Sequence, residues 1–223
     1  MPVLVFDVNE TLLDLRALDP AFQRVFGDPG VRRLWFGQLL QSALVSIVTN
    51  AYADFGTVGR AALEMVARRA GVELGPDDAT AILGGIRTLP PHPEVAGALD
   101  RLRDAGFRLA SLTNSTEAVA NAQLENAGLA SRFERILSAD TVRRLKPARE
   151  PYEMAARELG VGGGEVRLVA AHAWDVAGAL AAGCRAAFVA RPGMVLDPLA
   201  AAPDIVGSDL DEVATRILEV DRP

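Results

Sequence analysis

Cysteine occurs once in the 223 residues, at Cys184, so no intrachain disulfide can form. The lone thiol reads as a small core residue and fits a reducing cytosol. Basic blocks are absent and the net charge is −6. That excludes an electrostatic footprint for nucleic acid, and no basic amphipathic stretch suggests a membrane surface. A small anionic substrate stays open, because one local Lys or Arg outweighs a diffuse negative field. No cationic region precedes the first apolar run, and Asp7 and Glu10 interrupt any signal-like pattern. The apolar segment 177–190 contains Arg185 and is too short to span a bilayer. Internal repeats are absent. The Gly162-Gly163-Gly164 run lacks the spacing and strand context of a dinucleotide fingerprint. A cytoplasmic protein is expected.

What the chain has is apolar mass: 50% of its residues are hydrophobic, enough for one full core or a core with a small appended domain. Val3-Leu4-Val5-Phe6 predicts a buried strand and runs straight into Asp7, Val8, Asn9, Glu10 and Thr11. A carboxylate is thereby placed where the chain leaves a sheet, the position at which open α/β sheets bind ligands.

Residues 20–89 then read as helices, with apolar positions at helical spacing over 31–52, 57–70 and 77–86. The Leu89-Pro90-Pro91-His92-Pro93 cluster closes this block as a hinge. From there helix and strand alternate. Helices are predicted over 94–105, 115–126, 151–159 and 174–182, with a last one starting at Ser208. Strands are predicted over 107–112, 135–138, 166–171, 186–190 and 205–206. The expected fold is α/β: a Rossmann-like parallel sheet with helices on both faces and an inserted α-helical cap. Residues 1–14 and 90–223 form the core, and 15–89 the cap. Leu39-Leu40 and 44–48 suit either the cap core or a cap-mediated homodimer.

Polar groups cluster just after predicted strands: Asp7 after the first, Thr113-Asn114 after the second, Lys146 after the third, His172 and Asp175 after the fourth. In a parallel sheet these tips share one edge. Each has a plainer reading. Thr11 or Asn9 caps a turn, Thr113-Asn114-Ser115 starts a helix, and Lys146 is a solvated loop residue. Asp175 opposes a helix dipole, His172 is a satisfied loop histidine, and Trp174 is packing. The joint pattern is more specific than any member.

Asp7 with Thr11, Thr113-Asn114, Lys146-Pro147 and Asp175, in that order, resemble the haloacid dehalogenase (HAD) superfamily over nearly the whole chain. More narrowly, Arg33-Leu34-Trp35 with Gln38, Lys146-Pro147 with Tyr152, and Ala173-Trp174-Asp175 followed by Gly178-Ala179 resemble its L-2-haloacid (type II) dehalogenase branch. The resemblance implies hydrolytic dehalogenation of a short 2-haloalkanoic acid through an aspartyl ester, giving a 2-hydroxy acid and halide, without a cofactor. Asp7 would be the nucleophile, ionised at an unperturbed pKa of ~3.9. Lys146 would hold it charged; at ~4 Å and an effective dielectric of ~20 the pair is worth about 4 kcal/mol before desolvation. Thr11 and Thr113 would position carboxylate and substrate. Asn114 and the amides of Val8 and Asn9 would bind the substrate carboxylate. Asp175 would orient or activate water. Tyr152, His172, Phe36 and Gln38 complete the expected substrate site.

Phosphatases of the superfamily resemble Asp-x-Asp, and here the second position is Asn9, which exchanges no proton. A Mg²⁺-dependent phosphohydrolase, with Asp7 and Asp175 as metal ligands, stays open as an alternative. So does a non-catalytic member that binds a small carboxylate. Departures from the branch concern the halide and water sites. Phe36 stands where an arginine is usual, and Arg32 and Arg33 are expected on other helix faces. Ala170 and His172 stand for Ser and Asn, Asn9 for an aromatic, and Glu10 for a glycine. His172 and Asn9 are expected to supply donors lost with the arginine, helped by Gln38, Gln41 or Asn50 from the cap.

Overall fold

Four consecutive apolar side chains suit a strand covered on both faces. Val3–Phe6 forms such a strand, β1, with all four residues buried. The computed structural model describes residues 2–221. Five more strands follow: β2 (Leu109–Thr113), β3 (Arg135–Ser138), β4 (Val166–Ala170), β5 (Arg185–Val189) and β6 (Ile205–Gly207). All pair in parallel in the order β3-β2-β1-β4-β5-β6. The chain winds outward from β1 to β3, then returns to β4 on the other side of β1. That reversal sets the topological switch point between β1 and β4.

Alternation along β1 divides the core. Leu4 and Phe6 pack with α5 (Val95–Asp104) and α9 (Leu210–Val220). Val3 and Val5 pack with α7 (Arg149–Leu159) and α8 (Ala173–Ala181). The remaining core helix, α6 (Glu117–Asn126), lies between β2 and β3 in sequence. Among the described residues no helix is long and apolar enough to cross a membrane.

Between β1 and α5 stands the helical cap: α1 (Asp19–Phe26), α2 (Val31–Val48), α3 (Phe55–Ala70) and α4 (Pro76–Gly85). Trp35 is fully buried on α2, and its indole N–H donates to the Gly59 carbonyl at 2.9 Å. Leu39 packs against Gly59, where a Cβ would lie 3.2 Å from its side chain. Leu39 is buried, whereas Leu44, Val45 and Val48 are exposed.

Element bounds differ from the sequence reading for local reasons. The helix expected over 31–52 ends at Val48 because Asn50 turns into the left-handed region at φ 55°. The helix expected from residue 57 starts at Phe55, since the Asp54 carboxylate accepts the Thr57 N–H. The strand expected from 107 starts at Leu109, because the Phe107 N–H still closes α5 on Leu102. Ser115 does not cap α6. Its carbonyl accepts from the Ser138 hydroxyl and its own hydroxyl faces the Asn9 amide, so the helix begins at Glu117. The last helix starts after Asp209, whose carboxylate accepts the Glu212 N–H.

Arg167 on β4 is fully buried, a rare place for a guanidinium. It donates to Asp221 at 2.5 and 3.1 Å, to Asp204 at 2.5 and 2.9 Å, and to the Ala186 carbonyl at 3.1 Å. Removing the cation leaves the buried Asp221 carboxylate with Arg185 alone, at 2.6 Å. Arg167→Ala is expected to cost about 3–5 kcal/mol in urea unfolding, and a loss below about 1 kcal/mol would show the network to be dispensable.

Candidate active site

Asp7 follows the last residue of β1, at the switch point, and its N–H donates to the Val169 carbonyl at 3.0 Å. Oδ1 accepts from Lys146 Nζ at 2.9 Å. Oδ2 accepts from the Thr11 hydroxyl at 2.6 Å and lies 3.1 Å from His172 Nδ1. Thr11 also accepts the Ala171 N–H at 2.9 Å, tying the loop after β1 to the loop after β4.

Lys146 is buried, and all three of its N–H groups are engaged. They point at Asp7 Oδ1, at the Leu112 carbonyl at 2.8 Å and at Asp175 Oδ2 at 2.6 Å. Asn114 brackets the lysine backbone, accepting from its N–H at 2.7 Å and donating to its carbonyl at 3.2 Å. Asp175 Oδ1 accepts the Tyr152 hydroxyl at 2.6 Å. Tyr152 reaches it over Gly178, where a Cβ would lie 2.6 Å from the phenol oxygen and 2.5 Å from Pro147 Cβ.

On the other side of Asp7, His172 Nε2 is 3.0 Å from Glu10 Oε2, and Glu10 pairs with Arg32 of α2 at 3.7 Å. Arg32 in turn donates to Asp19 at 2.5 Å. Asp175, Lys146, Asp7, His172, Glu10 and Arg32 therefore form one chain from core to cap, alternating in sign when His172 is protonated. Glu10 holds φ 60°, a left-handed conformation that favours glycine. The His172 ring is sandwiched between Phe36, at 5.9 Å, and Trp174, at 5.1 Å between centroids.

Protonation follows from these contacts. Burial pushes the Asp7 carboxyl up, but Lys146, His172 and Thr11 outweigh it and hold the group well below the usual carboxylate range. Burial lowers the His172 pKa, but bonds and charges from Asp7 and Glu10 outweigh it and raise it to about 9. Burial also works against the Lys146 ammonium, and the two carboxylates more than restore it.

The space beside Asp7 measures about 10 Å³. Its wall brings together Asp7, Asn9, Phe36, Thr113, Asn114, Lys146 and His172 with Leu40, Phe55 and Trp174. Thr11, Asp175 and Tyr152 stand behind it as supports. A larger cleft of about 460 Å³ adjoins through Phe36, His172 and Trp174, lined also by Glu10, Arg32, Arg33 and Arg191.

Several expectations need correction. Gln38 does not reach the cavity; Arg69 donates to its carbonyl at 2.6 Å and its NH₂ donates to Ser42. Gln41 is exposed, and Asn50 accepts from Arg144. Arg32 and Arg33 are not on other faces: they share the cleft wall with Phe36. Asp175 is fully buried, accepts from Lys146 and Tyr152, and does not line the space beside Asp7. Asn9 is drawn aside, its carbonyl accepting from Gln123 at 2.8 Å. The Val8 side chain is buried core, and Val8 does not line the space beside Asp7. Glu10, Arg32 and Trp174 were not expected as site residues. The i, i+4 step from Arg32 to Phe36 is the signal that points to the second of these.

Asp7 and Asp175 do not fit a divalent cation. The Lys146 ammonium lies between them, and Tyr152 takes the remaining oxygen of Asp175. Among the described residues no other cluster of acids, histidines and thiols is placed to hold one.

Comparison with known proteins gives a consistent answer. Residues 1–183 match the family model of the haloacid dehalogenase-like hydrolases. The chain is 28% identical over 212 residues to haloacetate dehalogenase H-2 of Moraxella sp. (strain B), covering 94% of this chain and 95% of that enzyme. It is 30% identical over 190 residues to the (S)-2-haloacid dehalogenase of Xanthobacter autotrophicus, covering 84% and 74%. The crystal structure of the L-2-haloacid dehalogenase of Xanthobacter autotrophicus with chloropropionic acid covalently bound superposes with a TM-score of 0.91 at 27% identity, covering 99% of both chains.

The raised His172 pKa fixes the sign of a pH effect on stability. Its contribution is complete below the unfolded value of about 6.5 and is lost as pH rises through about 9. The wild type is expected to lose stability against His172→Gln between pH 6.5 and 9 in paired urea titrations. A constant difference across that window would contradict the imidazolium assignment.

Proposed function

The chain belongs to the haloacid dehalogenase-like hydrolases, and from that membership we propose that it hydrolyses short 2-haloacids to 2-hydroxy acids and halide. The observation that carries this reading is an ionised carboxylate, Asp7, facing a small, closed cavity in which Phe36, Leu40, Phe55 and Trp174 stand opposite polar side chains. A desolvated anion is a strong nucleophile, and a halide leaves without a proton.

Oδ1 of Asp7 accepts only from Lys146, so it keeps a lone pair for C2 of the substrate. Oδ2 is already doubly engaged by Thr11 and His172. In-line attack by Oδ1 expels halide and leaves an aspartyl ester, which water then hydrolyses. Lys146 orients Asp7; Asp175 and Tyr152 hold Lys146 in place. The amides of Val8 and Asn9, with Thr113 and Asn114, receive the substrate carboxylate. Trp174 lines the cavity, and its indole N–H is buried without a partner. In the absence of an arginine at Phe36 we assign the departing halide to that donor.

Residues 15–89 act in this reading as a cap over a core of 1–14 and 90–223. A space of about 10 Å³ suits about one water molecule rather than a haloacid. Substrate entry therefore requires α2 to part from the core and return, shutting out water. Arg32, Arg33 and Arg191 line the outer cleft and would draw in an anionic acid. A reducing, cytosolic setting suits the free, buried Cys184. The phosphohydrolase alternative is disfavoured by the placement of Asn9 and by the Lys146 ammonium, which stands between Asp7 and Asp175.

The test is halide release from each enantiomer of 2-chloropropionate and from chloroacetate, without added metal. Release is expected, falling about 10³-fold or more in Asp7→Asn. Trp174→Phe is expected to slow halide release roughly 10-fold or more, the worth of a hydrogen bond to a charged group. Turnover of an aryl phosphate only when Mg²⁺ is supplied, with no halide release, would overturn the reading.

A further inference from the structure

His172 is a buried histidine whose two ring nitrogens both face carboxylate oxygens, Nδ1 toward Asp7 Oδ2 at 3.1 Å and Nε2 toward Glu10 Oε2 at 3.0 Å. A neutral imidazole has one N–H and cannot donate at both. Only the imidazolium satisfies this geometry. The charged groups around it are Asp7 and Glu10 in contact, Lys146 on the far oxygen of Asp7, and Arg32 beyond Glu10. The rings of Phe36 and Trp174 cover its faces and carry no charge.

The partner oxygen decides what this cation does. Oδ2 accepts from two donors, His172 and Thr11, while Oδ1 accepts from one. If Oδ1 forms the ester, Oδ2 becomes the ester carbonyl oxygen. We propose that Thr11 and His172 form an oxyanion hole on Asp7 Oδ2 for the ester-hydrolysis step, with Glu10 as the positioning residue that keeps both protons on His172. This rests on the aspartyl-ester reading above.

The step balances without a further reactant. Water adds to Cγ of Asp7, and the carbonyl electron pair moves onto Oδ2, where the two donors receive it. The Cγ–Oδ1 bond then breaks, Oδ1 departs as the product hydroxyl oxygen, and the water oxygen replaces it in the carboxylate. One water proton ends on the product hydroxyl and the other passes to solvent. His172 keeps its protons throughout. Donors fixed before the charge develops are the effective kind, because nothing reorganises during the reaction.

Glu10 supports the assignment independently. A non-glycine residue at φ 60° carries backbone strain. The carboxylate placed there by that strained backbone reaches His172 and Arg32. When Asp7 is esterified and loses its charge, Glu10 is the acid that remains to hold the imidazolium.

The test is a single-turnover experiment with 2-chloropropionate, following halide release and, by intact mass, the esterified chain. His172→Phe keeps a ring between Phe36 and Trp174 but carries no donor. It is expected to release one halide per chain and then stall, with ester hydrolysis slowed about 10²–10³-fold and the adduct accumulating. In the wild type, ester hydrolysis is expected to fall as pH rises through the His172 titration. Glu10→Gln is expected to move that alkaline limb to lower pH. Clearance of the ester by His172→Phe at the wild-type rate overturns the inference and leaves the ester reading intact. So does hydrolysis that accelerates with pH, the signature of a general base. If His172→Phe does not fold, an unmoved limb in Glu10→Gln overturns it. A wild type that releases no halide overturns both.

Discussion

One buried ammonium holds this site together. Lys146 lies between two carboxylates that would repel each other, and its third N–H is taken by the Leu112 carbonyl. Without it, Asp175 would be an uncompensated charge in the core, a state that costs several kcal/mol, and Asp7 would keep only His172 as a charge partner. The cation is itself held from behind. Asn114 brackets its backbone, Tyr152 fixes Asp175, and Gly178 leaves room for the Tyr152 hydroxyl. The nucleophile is thus the front member of a support several layers deep. A support of that kind lets a short carboxylate keep one geometry through a reaction cycle.

The sheet supplies the other half of the arrangement. Asp7 leaves β1, and His172 and Asp175 follow β4, the strand on its far side across the switch point. Thr113 and Asn114 come from the end of β2. Parallel register brings all these tips to one edge, so residues more than a hundred positions apart in sequence meet through short, stiff connections. The cap adds what the sheet lacks: Phe36 and Leu40 as an apolar lid, and Arg32 as a cation reaching Glu10.

Much of this was legible in the chain. An apolar run ending in an acid, followed by βα alternation, specified the sheet and placed Asp7, Lys146, His172 and Asp175 on one edge. Some contacts were not legible, because they depend on which atoms are already engaged. Asp175 reads from the sequence as a group facing the site, whereas it lies fully buried behind Lys146 and Tyr152. Gln38 stood near the right residues but two positions from Phe36, about 200° around a helix, and it packs on Arg69 instead. Arg32 lies four positions from Phe36, one turn away on the same face, and helical spacing alone would have placed it there. Glu10 read as a lost glycine. Its contact is with a partner 162 residues away, which no local pattern reveals.

Asn9 has a consequence for how this site stands among its relatives. The amide is drawn toward α6 by Gln123 and is within 3.5 Å of the Ser115 hydroxyl. An aspartate introduced there would meet the Gln123 amide as a ready donor and be turned the same way. The acid opposite, Asp175, is already committed to a lysine and a tyrosine. One codon separates this chain from the Asp-x-Asp pattern, yet the chemistry of that pattern lies several coordinated replacements away. The site occupies an evolutionary basin bounded by its own hydrogen bonds, and the count of differing letters understates the distance to its edge.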